Sequence, residues 1–421
     1  MKITAVEPFL LHVPVTGGSI ADSTHVLTHW GMPGCRVLTD VGLTGYGYTG
    51  THAHLPLDKL LTSCIADVFG PLLLGEDPRE AQALHGKLSS DPTTHWVGRA
   101  GITQMALSAV DLALWDLKAK ANDEPLWKTL GGSKQPIHCY ASDLGIPLSD
   151  DELAAWFTRM ASEYGFRGGK LKVGLDQDAD IRRLELMERA FKQTAEAPML
   201  LIDANEYWSP KQAIRKVREM EEQFDIAWVE EPARRWDFLG LRRISDSIKA
   251  PVCAGENLDT LGDFLPYFHN RAADVVQVSW GMTGITCAMQ LADAAYGFEL
   301  PITLGGSPGN LNAQLAPCMP NFLTLEVQNP GPDDGVMTSD IKIVDGWATC
   351  GDQPGTGVSF DPEALARQKV ETVTASAGPS PFGRRPGAGL WDNPPTAEEA
   401  AAAATGVNGE HYVPAHGSQN Q

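Results

Sequence analysis

From Pro136 onward the chain repeats one unit: a short apolar run, a polar turn, then a stretch of helical periodicity. Eight such runs stand at 137–141, 169–173, 199–203, 227–230, 252–254, 274–278, 301–304 and 322–326. Helical patterns at 151–164, 178–194, 210–223 and 283–294 fill most of the intervals. Apolar strands alternating with helices call for a parallel sheet covered on both faces. Eight of them predict a closed (β/α) barrel, whose chemistry gathers at the C-terminal ends of the strands. An open doubly wound sheet is the alternative, but no glycine-rich phosphate turn follows the first run.

Several runs stop at charged groups. The second reads Gly169-Lys170-Leu171-Lys172-Val173; the third, fourth and fifth end at Asp203, Glu230 and Glu256. Alternate strand residues share a face, so Lys170 and Lys172 point together. Two adjacent ammonium groups disfavour each other, which is expected to lower one pKa toward that of a base. The three carboxylates offer the hard oxygen donors that Mg²⁺ prefers. A small carboxylate substrate on that cation would lose its α-proton to a lysine, the metal stabilising the enediolate. Each piece has an ordinary reading: exposed edge lysines, helix-capping acids, turn-forming Asp203 and Asn205. Their succession at strand ends argues for a site. Alternation lets only one of Glu230 and Glu231 face the centre, leaving Glu231 behind it.

The remaining sequence divides around that barrel. Residues 1–128 are expected to form an α+β unit with strands at 2–13, 35–40 and 44–49 and a long helix at 102–121, apolar at Ala106, Ala109, Val110, Leu112, Ala113 and Leu117. The barrel is placed at 129–345, a returning segment at 346–365, and a low-complexity tail rich in Pro, Gly and Ala at 366–421. With 53 acidic against 33 basic residues, a formal charge of -20, neither nucleic acid nor an anionic membrane is expected as partner. The first residues carry no secretory signal pattern, and no window reaches spanning length. Seven scattered cysteines without zinc-like spacing suit a reduced, cytoplasmic protein. Cys253 is read as packing.

Ser108-Ala109-Val110-Asp111-Leu112-Ala113-Leu114-Trp115-Asp116-Leu117-Lys118 precedes Leu130-Gly131-Gly132, and after it come Lys-x-Lys, Asp-x-Asn, Glu-Glu-Pro and Gly-Glu-Asn. In that order over residues 1 to about 360, the chain resembles the enolase superfamily, in particular its mandelate racemase and muconate-lactonizing branches. The resemblance implies a modified TIM barrel with an N-terminal α+β capping domain, and metal-assisted proton abstraction beside a carboxylate. It implies Asp203, Glu230 and Glu256 as Mg²⁺ ligands, Lys172 as base and Lys170 as its neighbour on the substrate carboxylate. Asn205 would bond substrate, and Glu326 would match the acid on the enediolate oxygen. A homo-oligomer is the family habit.

The departures bear on the reaction. Racemase-like members set a sixth-strand Asp behind a seventh-strand His. Asp274 is at the expected place here, but the seventh run, Ile302-Thr303-Leu304-Gly305-Gly306, has no histidine. Gln277 stands about where muconate-lactonizing relatives carry a lysine. A one-sided site favours dehydration of a hydroxylated acid to a 2-keto-3-deoxy acid, since elimination proceeds with one base. The alternatives are a racemase, epimerase or cycloisomerase drawing its second acid from a cap loop, and a metal-bearing barrel that binds without turnover. His25 and His29, with Trp30, are read as one early loop; His52 and His54 flank another, all four as substrate contacts. His95 is a weaker candidate.

Overall fold

The computed structural model describes residues 1–15, 20–51, 54–330 and 336–368. His52 and residues 369–421, most of the expected tail, lie outside them. Eight parallel strands form the barrel: Ile137–Ser142, Gly168–Lys172, Met199–Asp203, Ile226–Glu230, Val252–Ala254, Val275–Val278, Ile302–Leu304 and Phe322–Val327. The eighth pairs with the first, Glu326 opposite Tyr140, which closes the cylinder. Six α-helices connect successive strands, from Asp150–Tyr164 to Trp280–Gly297; the seventh connection is instead two 3₁₀ segments, Pro308–Gln314 and Ala316–Cys318. The first of these helices opens on a reciprocal cap between Ser149 and Glu152 and ends on Gly165 in the left-handed region.

Strand alternation sorts the inward side chains into levels. Tyr140, Leu201, Trp228, Cys253 and Val275 make a separate buried cluster inside the cylinder. Two residues further along the same strands come Lys172 above Lys170, Asp203 above Leu201, Glu230 above Trp228 and Gln277 above Val275. The interior is therefore apolar below, apart from Lys170 beside Leu201, and charged at the C-terminal mouth, the end where barrel chemistry is sited. Cys253 packs in the lower level, as expected.

Before the barrel lies a three-stranded antiparallel sheet, Ile3–Pro14, His29–Thr39 and Thr44–Tyr48, followed by helices. The longest, Ile102–Ala121, lies directly on the third strand. A methyl at Gly47 would overlap the Ala109 carbonyl and one at Gly45 the Ala113 carbonyl, so the close approach requires glycine at both positions. The motif 108–118 joins this cap to the barrel. Asp111 accepts from Thr286 N at 2.8 Å and Thr286 Oγ1 at 2.6 Å, Trp115 Nε1 donates to the same hydroxyl, and Ser108 Oγ donates to Gly281 O. Asp116 accepts from Tyr46 N, Lys120 Nζ and Thr356 N. Past the barrel, a hairpin of Lys342–Val344 and Trp347–Thr349 adds to the first barrel strand, and Phe360 stacks on Tyr46 with centroids 5.3 Å apart.

Two placements differ from the sequence reading. His29 and Trp30 lie on a cap strand, because pairing with the first strand runs on to Pro14↔His29 through residues that look like turn formers. Asp274 comes just before its strand, Val275–Val278, and so does not stand where the sixth-strand acid of racemase-like members would be. Its carboxylate accepts from Val252 N at 2.8 Å, at the opposite end of the barrel from the charged mouth.

The cap also buries a carboxyl. Asp58 accepts from Thr51 Oγ1 at 2.6 Å and lies 3.1 Å from His12 Nε2, and burial pushes its pKa up to about 7. Folded protein thus holds a proton that the unfolded chain releases near the ordinary aspartate value, and stability falls as pH rises from roughly 4 to 7. Asp58→Asn is expected to flatten that slope by roughly 2–4 kcal/mol. Urea unfolding of both proteins on either side of the window measures it; parallel pH curves would sink it.

Candidate active site

Lys170 is fully buried and its ammonium gathers carboxylates from three strands. Its Nζ lies 2.5 Å from Glu230 Oε1, 3.1 Å from Glu326 Oε1 and 3.4 Å from Asp203 Oδ2. Beneath it the Tyr140 ring centroid is 5.8 Å away. One turn of the pleat higher, Lys172 donates to Asp203 Oδ2. Glu230, Glu256 and Glu326 bring one oxygen each within 4.8 Å of one another, the one such group among the described residues. Asp203 is engaged with the two ammonium groups and stands beside that trio, not within it. The strand-end residues read from sequence thus meet at one mouth, with Glu326 grouped with Glu230 and Glu256.

Four carboxylates against two ammonium groups leave an excess of negative charge out of water. Burial would raise Asp203, but Lys172 and Lys170 hold it below the usual carboxylate range. Glu326 behaves likewise, also accepting from Gly306 N at 2.8 Å. Burial pushes Glu230 well up, and Glu256 up to about 7, in each case reinforced by the neighbouring acids. One oxygen of Glu230, Oε2, is buried without a hydrogen-bond partner. The set of hard oxygens, the surplus charge and this orphaned atom fit a divalent cation.

The lysine pair departs from its expected effect. Burial and Lys170 do push the Lys172 pKa down, but Asp203, with Asp22 and Glu256, outweighs them and the net direction is up. Lys170 is raised too: burial opposes its charge, and Glu230 and Glu326 override that. The acids across the barrel decide the field, not the neighbour on the same strand.

Around this centre the backbone is held in an unusual shape. Asn205, Glu206 and Glu231 all have positive φ, of 42°, 60° and 39°. Such strain in non-glycine residues gathers where geometry is fixed by the surroundings. Asn205 N donates to Asp203 Oδ1 at 2.8 Å while its own Oδ1 is buried without a partner. Glu231 sits behind the rim, accepting from Asn257 Nδ2 at 2.8 Å. Glu206 holds Arg235, 2.6 Å from its Nε, and Arg235 in turn donates to Asn257 O. Across the mouth Gln277 is fully buried with neither amide atom bonded, and Gly305 follows the seventh strand.

The histidines separate. His25 and His54 meet edge to face, centroids 5.8 Å apart, and the charges of Lys172 and Glu256 act on His25. His29 lies with Thr28 and bears on His12 in the cap sheet. His95 is exposed on the helix Pro92–Val97. Two residues escaped the sequence reading. Asp143, buried just past the first strand with its pKa pushed up to about 6 by burial, carries the same signal as the other acidic strand ends. Asp22, bonded to His25, had no signal beyond an ordinary turn.

A parallel barrel with a charged mouth, roofed by a separate α+β domain, defines a class of capped-barrel enzymes. Residues 152–364 match the enolase C-terminal domain-like family, and residues 25–131 the mandelate racemase / muconate lactonizing enzyme N-terminal domain. The chain belongs to this mandelate racemase and muconate-lactonizing group of the enolase superfamily. It is 31% identical over 382 residues to a 3,6-anhydro-alpha-L-galactonate cycloisomerase of Streptomyces coelicolor, covering 87% of this chain and 99% of that protein. Over 206 residues it is 36% identical to L-talarate/galactarate dehydratase of Salmonella typhimurium, covering 49% of this chain and 50% of the relative. Among solved structures, a racemase from Streptomyces coelicolor with bound magnesium superposes with a TM-score of 0.81 at 28% identity, over 87% of this chain and all of that one. The Salmonella dehydratase, liganded with Mg and L-lyxarohydroxamate, gives 0.77 at 25% identity over 88% and 93%. These relatives are enzymes, dehydratases and isomerases both. No described helix is long and apolar enough to cross a membrane.

Replacing Lys170 by Met strips Glu230 and Glu326 of their buried counter-charge. Loss of one partner of such a cluster is expected to cost roughly 3–5 kcal/mol of stability. Chemical unfolding at neutral pH measures it; a variant as stable as the parent would show that the carboxylates are balanced some other way.

Proposed function

We propose that the chain is a magnesium-dependent dehydratase of hydroxylated sugar acids, forming 2-keto-3-deoxy acids. One observation carries this reading: the barrel strands supply a base on one side only. Lys172 stands on the second strand, while the opposing sixth and seventh strands offer Gln277, Thr303 and Gly305, none of which exchanges a proton. Inverting a stereocentre needs an acid and a base on opposite faces, whereas eliminating a β-hydroxyl needs only one base at the α-carbon. The unbonded amide of Gln277 and the unbonded Oδ1 of Asn205 suit a chain of hydroxyls, which both donate and accept.

In this reading Glu230 and Glu256, with Asp203, hold the cation, and Glu326 lies close enough to join or replace Asp203. Bound there, Mg²⁺ would supply electrophilic stabilisation of the charge that builds on the substrate carboxylate. Lys172 Nζ takes the α-proton. Lys170, held between Glu230 and Glu326, presents positive charge to the substrate carboxylate. Asn205, fixed by its bond to Asp203, orients a hydroxyl. Isomerisation is the second reading, supported by the near full-length similarity to a cycloisomerase.

Two outcomes are expected. MgCl₂ raises the melting temperature of the protein, as for any ligand of the folded state, and Glu230→Gln abolishes that rise. A panel of aldonates and aldarates yields keto acid, and Lys172→Ala lowers that rate by about 10²–10⁴-fold while the magnesium-dependent stabilisation persists. NMR in ²H₂O separates the readings: α-exchange with inversion and no keto acid would overturn the dehydratase assignment.

A further inference from the structure

Residues 22–25 form a turn between two short cap strands, Ile20–Ala21 and Val26–Leu27. Asp22 Oδ1 accepts from the backbone N–H groups of Thr24 and His25, both at 2.7 Å. The same carboxylate lies 3.0 and 3.1 Å from His25 Nδ1. The turn is pinned to the barrel rim. Ser23 Oγ donates to Ala204 O at 2.8 Å and Thr24 Oγ1 to Asn205 O at 3.5 Å, both just past Asp203. On its other side Ala21 N donates to Leu144 O at 2.9 Å, just past Asp143. A methyl at Gly174 would stand 3.3 Å from Ser23 Cβ. The turn therefore bridges the ends of the first and third strands and crosses the end of the second, which carries Lys172.

We propose that His25 is the acid that protonates the departing hydroxyl, and that Asp22 is the positioning residue that holds its ring; the role rests on the dehydratase reading. With Nδ1 engaged by Asp22 and by Thr24 Oγ1, 2.9 Å away, exchange with substrate is assigned to Nε2. Lys172 removes the α-proton, and the C–H electron pair becomes the Cα=Cβ bond as the Cβ–O bond breaks. The oxygen leaves with the Nε2 proton as water. The enol then ketonises: Lys172 returns a proton to Cβ and the enol O–H proton passes to His25, restoring both groups. The facing charges favour the imidazolium. Burial opposes it, but Asp22 outweighs burial, Glu256 adds to Asp22, Lys172 opposes, and His54 packs alongside.

The test uses the full chain with MgCl₂ and the acid sugar that gives most keto acid, followed by NMR in ²H₂O. His25→Gln is expected to lose keto-acid formation by about 10²-fold or more yet keep α-proton exchange, which also reports an intact fold. Lys172→Ala loses both. Asp22→Asn keeps exchange, dehydrates more slowly, and its kcat/KM declines at lower pH than the parent's, because the acid gives up its proton sooner. Keto acid from His25→Gln within a few-fold of the parent would overturn the proposal, as would loss of exchange together with dehydration. Exchange with inversion and no keto acid in the parent would instead overturn the dehydratase reading, and this role with it.

Discussion

The ammonium of Lys170, fully buried among Glu230, Glu326 and Asp203, is the interaction on which the mouth of the barrel depends. Like charges held that closely repel unless a counter-charge sits between them. Lys170 supplies part of it from below and Lys172 part from the side. The deficit that remains is what a cation would fill. The site's charge balance is thus divided between chain and ligand, and the apolar level of Trp228, Leu201 and Val275 beneath keeps it dry.

Placement of the cap follows from a second set of buried bonds. Asp111 holds the segment that begins the last barrel helix, where Gly284 adopts a φ of 74° and a side chain would strike that same carboxylate. Asp116 ties the cap sheet to Thr356 of the returning chain. The long cap helix therefore acts as a clasp, and it fixes the height at which the turn carrying His25 meets the rim.

Much of this was legible in the sequence because barrel strands, covered on both faces, must be apolar until they reach the mouth. Their acidic endings marked the third, fourth, fifth and eighth strands, and would have marked the first at Asp143. Legibility failed where partners are distant in sequence. Lys172 was read against Lys170, two residues away, whereas Asp203 on the next strand sets its charge state. Asp274 was matched to the sixth-strand acid of racemase-like members by motif, although it opens its run and so falls at the end away from the mouth. His29 looked like loop because Gly31, Pro33 and Gly34 suggest turns, yet pairing with 8–14 carries the strand through them. The three-residue strands of the closing hairpin, mostly exposed, offer too little pattern to detect.

The ring of Phe360 touches Phe9, Tyr46 and Tyr48, so residues close to the start of the chain wait for one made near residue 360 before that wall of the cap is complete. Leu126 N likewise donates to Gly355 O at 2.7 Å. During synthesis, the domain that emerges first from the ribosome must hold an unfinished aromatic surface until the whole cylinder has followed it. Contacts of such long sequence separation slow folding and leave sticky intermediates, so assembly of this molecule is governed by its last third.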